Sequence, residues 1–151
     1  DFALATIHTK PTDAQTEICS LANVIEDAQN KFDEGDIFVL GDFNGDNKQD
    51  HYFDENQSSA TCALKDPIYD WFIGNSLDTT VSTNNEFTYD RIVAKHGFTD
   101  EDFTGNAGVF YFDQAQPADS PFTQIDTTLA TKDYSDHYPI WAIFYTNRDT
   151  N

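Results

Sequence analysis

Gly41-Asp42-Phe43-Asn44 and Ser135-Asp136-His137-Tyr138-Pro139 lie far apart in the chain, and each sets an acid within two residues of a second polar side chain. A carboxylate and an amide two residues apart, on a turn after a buried strand, point the same way. Together they suit a hard divalent cation and a phosphate oxygen. An acid beside a histidine, as in Asp136-His137, adds proton transfer to such a contact. His8 and Tyr89-Asp90-Arg91 complete the set. If Asp90 touches His8, its carboxylate fixes the imidazole tautomer and raises its basicity. Each segment also has a plainer reading. Asp42 and Asn44 suit an Asx turn bonded only to backbone. Asp136-His137 suits a surface loop, and Asp90 an ion pair with Arg91 or a strand-start turn. His51 and His96 lie in polar loops with no partner pattern and read as exposed and inert.

The elements that must position these residues follow from apolar spacing. Phe2 to Ile7 is a short apolar run that predicts a strand ending at His8. Pro11-Thr12 breaks it. Ile18, Leu21, Ala22, Ile25, Ala28 and Phe32 then recur at helical spacing, with a capping-box pattern at Thr12 and Gln15 and Gly35 just past the helix end. Ile37-Phe38-Val39-Leu40 predicts a strand buried on both faces. A strand-helix-strand unit leaves its strands parallel through a right-handed crossover, so His8 and Asp42 finish on one edge. Tyr69 to Ile73 is a further short apolar run. Arg91 to Ala94 predicts a strand entered through Asp90, and Ile140 to Phe144 one entered through Asp136-His137. Residues 45 to 66 and 77 to 86 are polar and irregular, and 97 to 132 carry only weak patterning. If the last two strands run antiparallel to the first pair, all four polar clusters fall on one edge of one sheet.

At 151 residues, with 13 Phe and 7 Tyr, the chain fits one packed domain. It has no apolar run long enough to span a membrane. No signal peptide is visible after Asp1, so any leader would lie outside this sequence. The net charge is -19. A chain that binds nucleic acid unaided is expected to be basic, because Lys and Arg displace the counterions of the phosphates. Bridging cations can neutralise a contact zone on an acidic protein; otherwise the charge is a solubilising surface. Cys19 and Cys62 can pair or remain free, Cys19 lying among the apolar positions of the predicted helix. Asn56-Gln57-Ser58 is a glycosylation acceptor pattern in a polar loop.

Several segments, in order along nearly the whole chain, resemble the later part of pancreatic-type deoxyribonuclease I and its relatives. They are Ile7-His8-Thr9, Glu17-Ile18, Val39 to Asn44, Trp71-Phe72-Ile73, Asp78-Thr79-Thr80, Ser82-Thr83-Asn84, Tyr89 to Val93 and Ser135 to Pro139. The G-D-F-N and S-D-H-Y-P segments mark the wider endonuclease/exonuclease/phosphatase superfamily; D-T-T and Y-D-R-I-V narrow it to the deoxyribonuclease I branch. The resemblance implies an α/β fold: residues 1–151 as the C-terminal half of a two-sheet α/β sandwich, a mixed sheet with helices on its outer face. It implies a secreted, metal-dependent endonuclease that hydrolyses phosphodiester bonds of DNA with Mg²⁺ (or Mn²⁺), aided by Ca²⁺. By resemblance, His8 and His137 are the catalytic histidines and Asp90 orients His8. Asp42, Asn44 and Asp136 serve the metal. Tyr89 and Asn44 contact phosphate, and Asp78 and Thr80 match a structural calcium loop.

The resemblance also has gaps. The family's first half, absent from this chain, supplies a metal-binding glutamate, the acid partner of the second histidine and most basic groove residues. The family cysteines after G-D-F-N and before Y-D-R are absent, with Asn47 and Thr88 near those places and an insertion before Tyr89. Half a sandwich leaves an apolar face wet, at about 25 cal/mol per Å². The implied partner is therefore an N-terminal half, as a cleaved fragment or separate chain. Two other readings stand beside the nuclease: a non-catalytic structural or binding protein that kept the fold, and a superfamily relative acting on a phospholipid.

Overall fold

The structure is a computed structural model that describes residues 2–48, 51–82, 84–95, 102–112 and 134–146. His96 and most of the weakly patterned stretch lie outside these residues. Strand β1 (Ala3–His8) is followed by one 3-10 turn at Pro11–Asp13 and then helix α1 (Ala14–Phe32). Strands β2 (Ile37–Asp42), β3 (Tyr69–Trp71), β4 (Asp90–Lys95), β5 (Phe103–Val109) and β6 (Ile140–Phe144), with a second 3-10 turn at Ala63–Lys65 between β2 and β3, complete the elements of the described residues. Helix α1 buries Ala14, Ile18, Leu21, Ala22 and Ile25, while Phe32 is 61% exposed at the helix end. No side chain caps its N-terminus, and Asp33 rather than Gly35 takes the left-handed C-terminal position.

The main sheet has the order β1-β2-β4-β3. β1 and β2 are parallel, and β4 runs antiparallel to β2. β5 and β6 form a separate antiparallel pair. Alternation along β2 explains the layers: Ile37 and Val39 face α1, whereas Phe38 faces β5 and β6. Val93 of β4 joins the first cluster, and Ile92 and Ala94 join the second. The second layer is rich in aromatic contacts, with the Phe38 and Phe144 ring centroids 4.8 Å apart and those of Phe72 and Phe103 4.7 Å apart. Helix, mixed sheet and strand pair make half of an α/β sandwich.

The structure changes two of the expectations. β5 lies inside a stretch that read as unpatterned, because its sequence Phe-Thr-Gly-Asn-Ala-Gly-Val carries few apolar residues. β6 belongs to the second sheet, so the four polar clusters do not all share one sheet edge.

Cys19 and Cys62 form a disulfide that ties α1 to the buried turn at Leu64, across a sequence separation of 43. Replacing both cysteines by alanine should lower the unfolding free energy by about 2–4 kcal/mol, mainly by freeing the unfolded chain. Melting curves of the variant and of the wild type with and without reductant test this. Identical curves would contradict it.

Candidate active site

Parallel register sets His8 opposite Asp42, and antiparallel register sets Asp42 opposite Asp90. Three chemistry-bearing residues thus lie side by side on one rim. Gly41 makes this close approach feasible: its φ is 136°, and a Cβ there would stand 2.0 Å from the Ile7 carbonyl oxygen. The turn beyond β2 is fastened on both sides. The Thr9 hydroxyl donates to the Phe43 carbonyl oxygen at 2.6 Å, and the Phe43 amide donates to the Tyr89 carbonyl oxygen at 2.7 Å. Asn44 is buried with φ at 46°, and its side-chain amide donates to the Thr9 carbonyl oxygen at 3.1 Å.

Asp42 divides its carboxylate between two tasks. Oδ1 accepts the Asn44 amide at 2.9 Å, which is the Asx turn anticipated as the plainer reading. Oδ2 stands 3.5 Å from His8 Nε2. Burial holds the Asp42 carboxyl above its ordinary value of 3.8, and neighbouring Asp90 adds to this. The Asn44 amide, His137 and His8 pull the other way. Asp42 therefore feels both histidines, which brings imidazoles remote in sequence to one place.

Asp90 meets His137, with Oδ2 2.7 Å from Nδ1. This corrects the expectation that Asp90 orients His8. β2 stands between β1 and β4, so Asp90 is one strand removed from His8. His137 arrives from the other side, on a loop bridged to the Asp78–Val81 segment. Thr80 and His137 form an isolated β-bridge, the Val81 amide donates to the Asp136 carbonyl oxygen at 2.7 Å, and the Tyr138 amide donates to the Thr79 carbonyl oxygen at 2.8 Å. The hydrogen bond to Asp90 lifts His137 above the ordinary histidine value of 6.5, against the opposing effect of burial, and Asp42 and Asp136 add to the lift. The His8 side chain is 75% exposed.

The remaining candidates lie around this centre. The Tyr89 ring is tilted against His137, centroids 6.5 Å apart. The Asp136 residue is exposed. Asp78 Oδ1 accepts the Thr80 amide at 3.0 Å, the Thr80 hydroxyl at 2.9 Å and the Phe87 amide at 3.1 Å. Asp42, Asn44 and Asp136 offer the hard oxygen donors that Mg²⁺ takes. Among the described residues, however, no group of three or more His, Cys, Asp or Glu could hold a metal ion.

Two residues have positioning roles that the sequence reading did not assign them. Thr79 is fully buried, and its hydroxyl accepts the Tyr89 amide at 3.0 Å and the Asp90 amide at 3.1 Å. With its carbonyl on Tyr138, it links the Asp90 strand to the His137 loop. Nothing in the sequence distinguishes it from Thr80. Arg91 is fully buried too, turned to the opposite face from Asp90 rather than paired with it. An arginine inside an otherwise apolar strand was the available signal.

No family model matches the chain. It is 35% identical to deoxyribonuclease-1 of Ovis aries over 139 residues, covering 92% of this chain and 49% of the relative. It is 33% identical to deoxyribonuclease-1 of Bos taurus over 141 residues, 93% of this chain and 46% of the relative. For deoxyribonuclease-1 of Mus musculus the identity is 34% over 140 residues, 93% of this chain and 45% of the relative. The chain spans about half the length of the curated relatives it matches. With the rim geometry and the half-sandwich fold, these similarities lead to one assignment: the chain belongs to the deoxyribonuclease I-like family, as a counterpart of the C-terminal part of those relatives.

Proposed function

We propose that this chain is the C-terminal half of a metal-dependent endonuclease that hydrolyses phosphodiester bonds of DNA. The observation that carries the reading is the 2.7 Å pair of His137 and Asp90 beside Asp42, with His8 3.5 Å from Asp42 on the same rim. A water attacks phosphorus in line, and the bond from phosphorus to the leaving oxygen breaks. One imidazole takes the water's proton, and a second group returns a proton to the leaving oxygen. Asp90 fixes the proton on His137 Nδ1, which leaves Nε2 to exchange one. Tyr89 and Asn44 contact the phosphate. Asp42, Asn44 and Asp136 would contribute oxygen donors to Mg²⁺ or Mn²⁺. A bound cation of this kind stabilises charge on the phosphate oxygens. Asp78 and Thr80 border a structural Ca²⁺ position.

An N-terminal half completes the fold. The chain's half-length match to its relatives supports this, as does a groove of about 460 Å³ lined by Leu4, Phe38, Leu40, Ala142 and Phe144. At the groove Phe2 is 65% and Leu4 59% exposed, apolar surface that a partner would cover. The disulfide and the exposed Asn56-Gln57-Ser58 loop suit a secreted protein. No helix among the described residues is long and apolar enough to cross a membrane.

A second reading, a non-catalytic protein that kept the fold, is favoured by the net charge of -19. Nicking of supercoiled plasmid separates the two. The complete assembly with Mg²⁺ should nick, and chelator or the substitution His137→Ala should abolish it. An intact, folded assembly that leaves the plasmid supercoiled refutes the nuclease.

A further inference from the structure

Asp46 is fully buried, and the proposed catalytic roles leave its carboxylate unused. It lies two residues beyond Asn44, in the turn after β2. A carboxylate out of water is costly unless hydrogen bonds satisfy it. Here each oxygen takes a backbone amide. Oδ1 accepts the Lys48 amide at 2.6 Å, within the same turn. Oδ2 accepts the Thr88 amide at 2.6 Å, across a sequence separation of 42. The first bond shapes the turn, and the second ties it to the residue two before Asp90. Such charge-assisted bonds are short and strong. The Asp46 carbonyl oxygen also accepts the Phe53 amide at 2.8 Å, so the carboxylate stands on a fastened backbone.

The β2–β4 register ends at Asp42 and Asp90, so the chain entering β4 needs other fastenings. Thr88, Tyr89 and Asp90 present three successive amides. Asp46 takes the first, and the Thr79 hydroxyl takes the next two at 3.0 and 3.1 Å. Thr88 is itself fully buried, and its hydroxyl donates to the Leu77 carbonyl oxygen. Thr79 reaches this point from the segment that holds the His137 loop, and Asp46 reaches it from the turn that holds Asp42 and Asn44. Resting on the nuclease reading, we infer that Asp46 is a positioning residue: through the Thr88 amide it sets where Asp90 meets His137 relative to Asp42. Being buried, it acts on the reaction without touching the substrate. A displacement of about 1 Å in a catalytic group costs about 10²-fold in rate.

Asp46→Asn keeps the shape of the side chain but leaves one oxygen. It can accept from Lys48 or from Thr88, while its NH₂ faces the other amide. In the complete assembly Asp46→Asn should lower kcat for plasmid nicking roughly 10–10²-fold with KM little changed. The hydrogen-bonded Nδ1 proton of His137 should shift or broaden, a signal that a loss of stability alone does not move. Lys48→Ala removes the exposed tie from the Lys48 ammonium to the Glu86 carbonyl oxygen and should leave both readouts as in the wild type. Equal losses in the two variants would mean general loosening and overturn the role. A second measurement needs no variant. Thr88 lies before β4, outside the ladder, yet its amide should exchange slowly with solvent in the wild-type assembly. Fast exchange there overturns the role even where Asp46→Asn fails to fold. An Asp46→Asn enzyme with wild-type nicking and ring signal overturns the role and leaves the nuclease standing. A wild-type assembly that does not nick removes the nuclease reading and the role with it.

Discussion

Replacing Asp90 by asparagine should reduce plasmid nicking by the assembled enzyme by roughly 10²–10⁴-fold while leaving the fold intact. The substitution keeps the shape of the side chain, and the residue's amide still donates to the Thr79 hydroxyl. It removes the carboxylate that accepts from His137 Nδ1 at 2.7 Å. An amide can turn either its oxygen or its NH₂ toward the ring, so the tautomer is no longer fixed, and a positive ring is no longer balanced. The pH dependence has a definite sign. Asp90 lifts His137 above its ordinary 6.5, so Asp90→Asn should lower it. The limb of the pH–rate profile that reports His137 should therefore move toward acid. In the wild type the charged ring adds stability that is fully present below the unfolded value near 6.5 and is lost as pH rises through the folded midpoint above it. In Asp90→Asn this pH-dependent part of the stability should shrink. Wild-type nicking by the variant would show that the pair has no role in the chemistry.

The largest expected effect on stability lies on the other face of the same strand. Arg91→Ala should lower the unfolding free energy by about 3–5 kcal/mol, since removing one partner of a buried ion pair strands the other. The Arg91 guanidinium donates to the Ile73 carbonyl oxygen at 2.9 Å, to Asn75 Oδ1 at 2.5 Å and to the Gly45 carbonyl oxygen at 3.3 Å. It lies 3.9 Å from Glu55 Oε1 and packs against Trp71. Burial lowers the Arg91 pKa, and Glu55 and Asp46 oppose that shift. One fork thus joins β4 to the turn after Asn44 and to the loop after β3, and lysine cannot reproduce it. Glu55→Gln should cost less than Arg91→Ala, because an amide oxygen can still accept the Asn75 amide, which donates to Oε1 at 3.1 Å. Denaturant unfolding of the variants checks this. A loss below about 1 kcal/mol for Arg91→Ala would fall outside what a buried, multiply bonded charge commands.

How much of this was legible in the sequence depended on whether the signal was local. Helix α1 and strands β1, β2, β4 and β6 were readable because each carries a continuous or periodic apolar pattern that burial enforces. β5 was not, because its glycines and polar residues pair at a sheet margin where little is buried. His8 and Asp42 were brought together correctly by crossover geometry alone. The partner of Asp90 was not, because strand order decides it: inserting β2 between β1 and β4 hands Asp90 to His137. The disulfide was equally hidden. Cys62 meets Cys19 only because the short turn that follows it, Ala63–Lys65, packs against α1. Thr79 acts through one hydroxyl and two backbone groups, a role no spacing in the sequence marks.

The pairing of Asp90 with His137 is the contact on which the whole account depends, and imidazole NMR reads it without reference to activity. With ring nitrogens labelled, the wild type should show the Nδ1–H tautomer of His137 and a hydrogen-bonded Nδ1 proton shifted downfield. In Asp90→Asn that signal should disappear or move upfield, while the His8 ring changes far less. A His137 ring with the same tautomer and proton shift in both proteins would contradict the account.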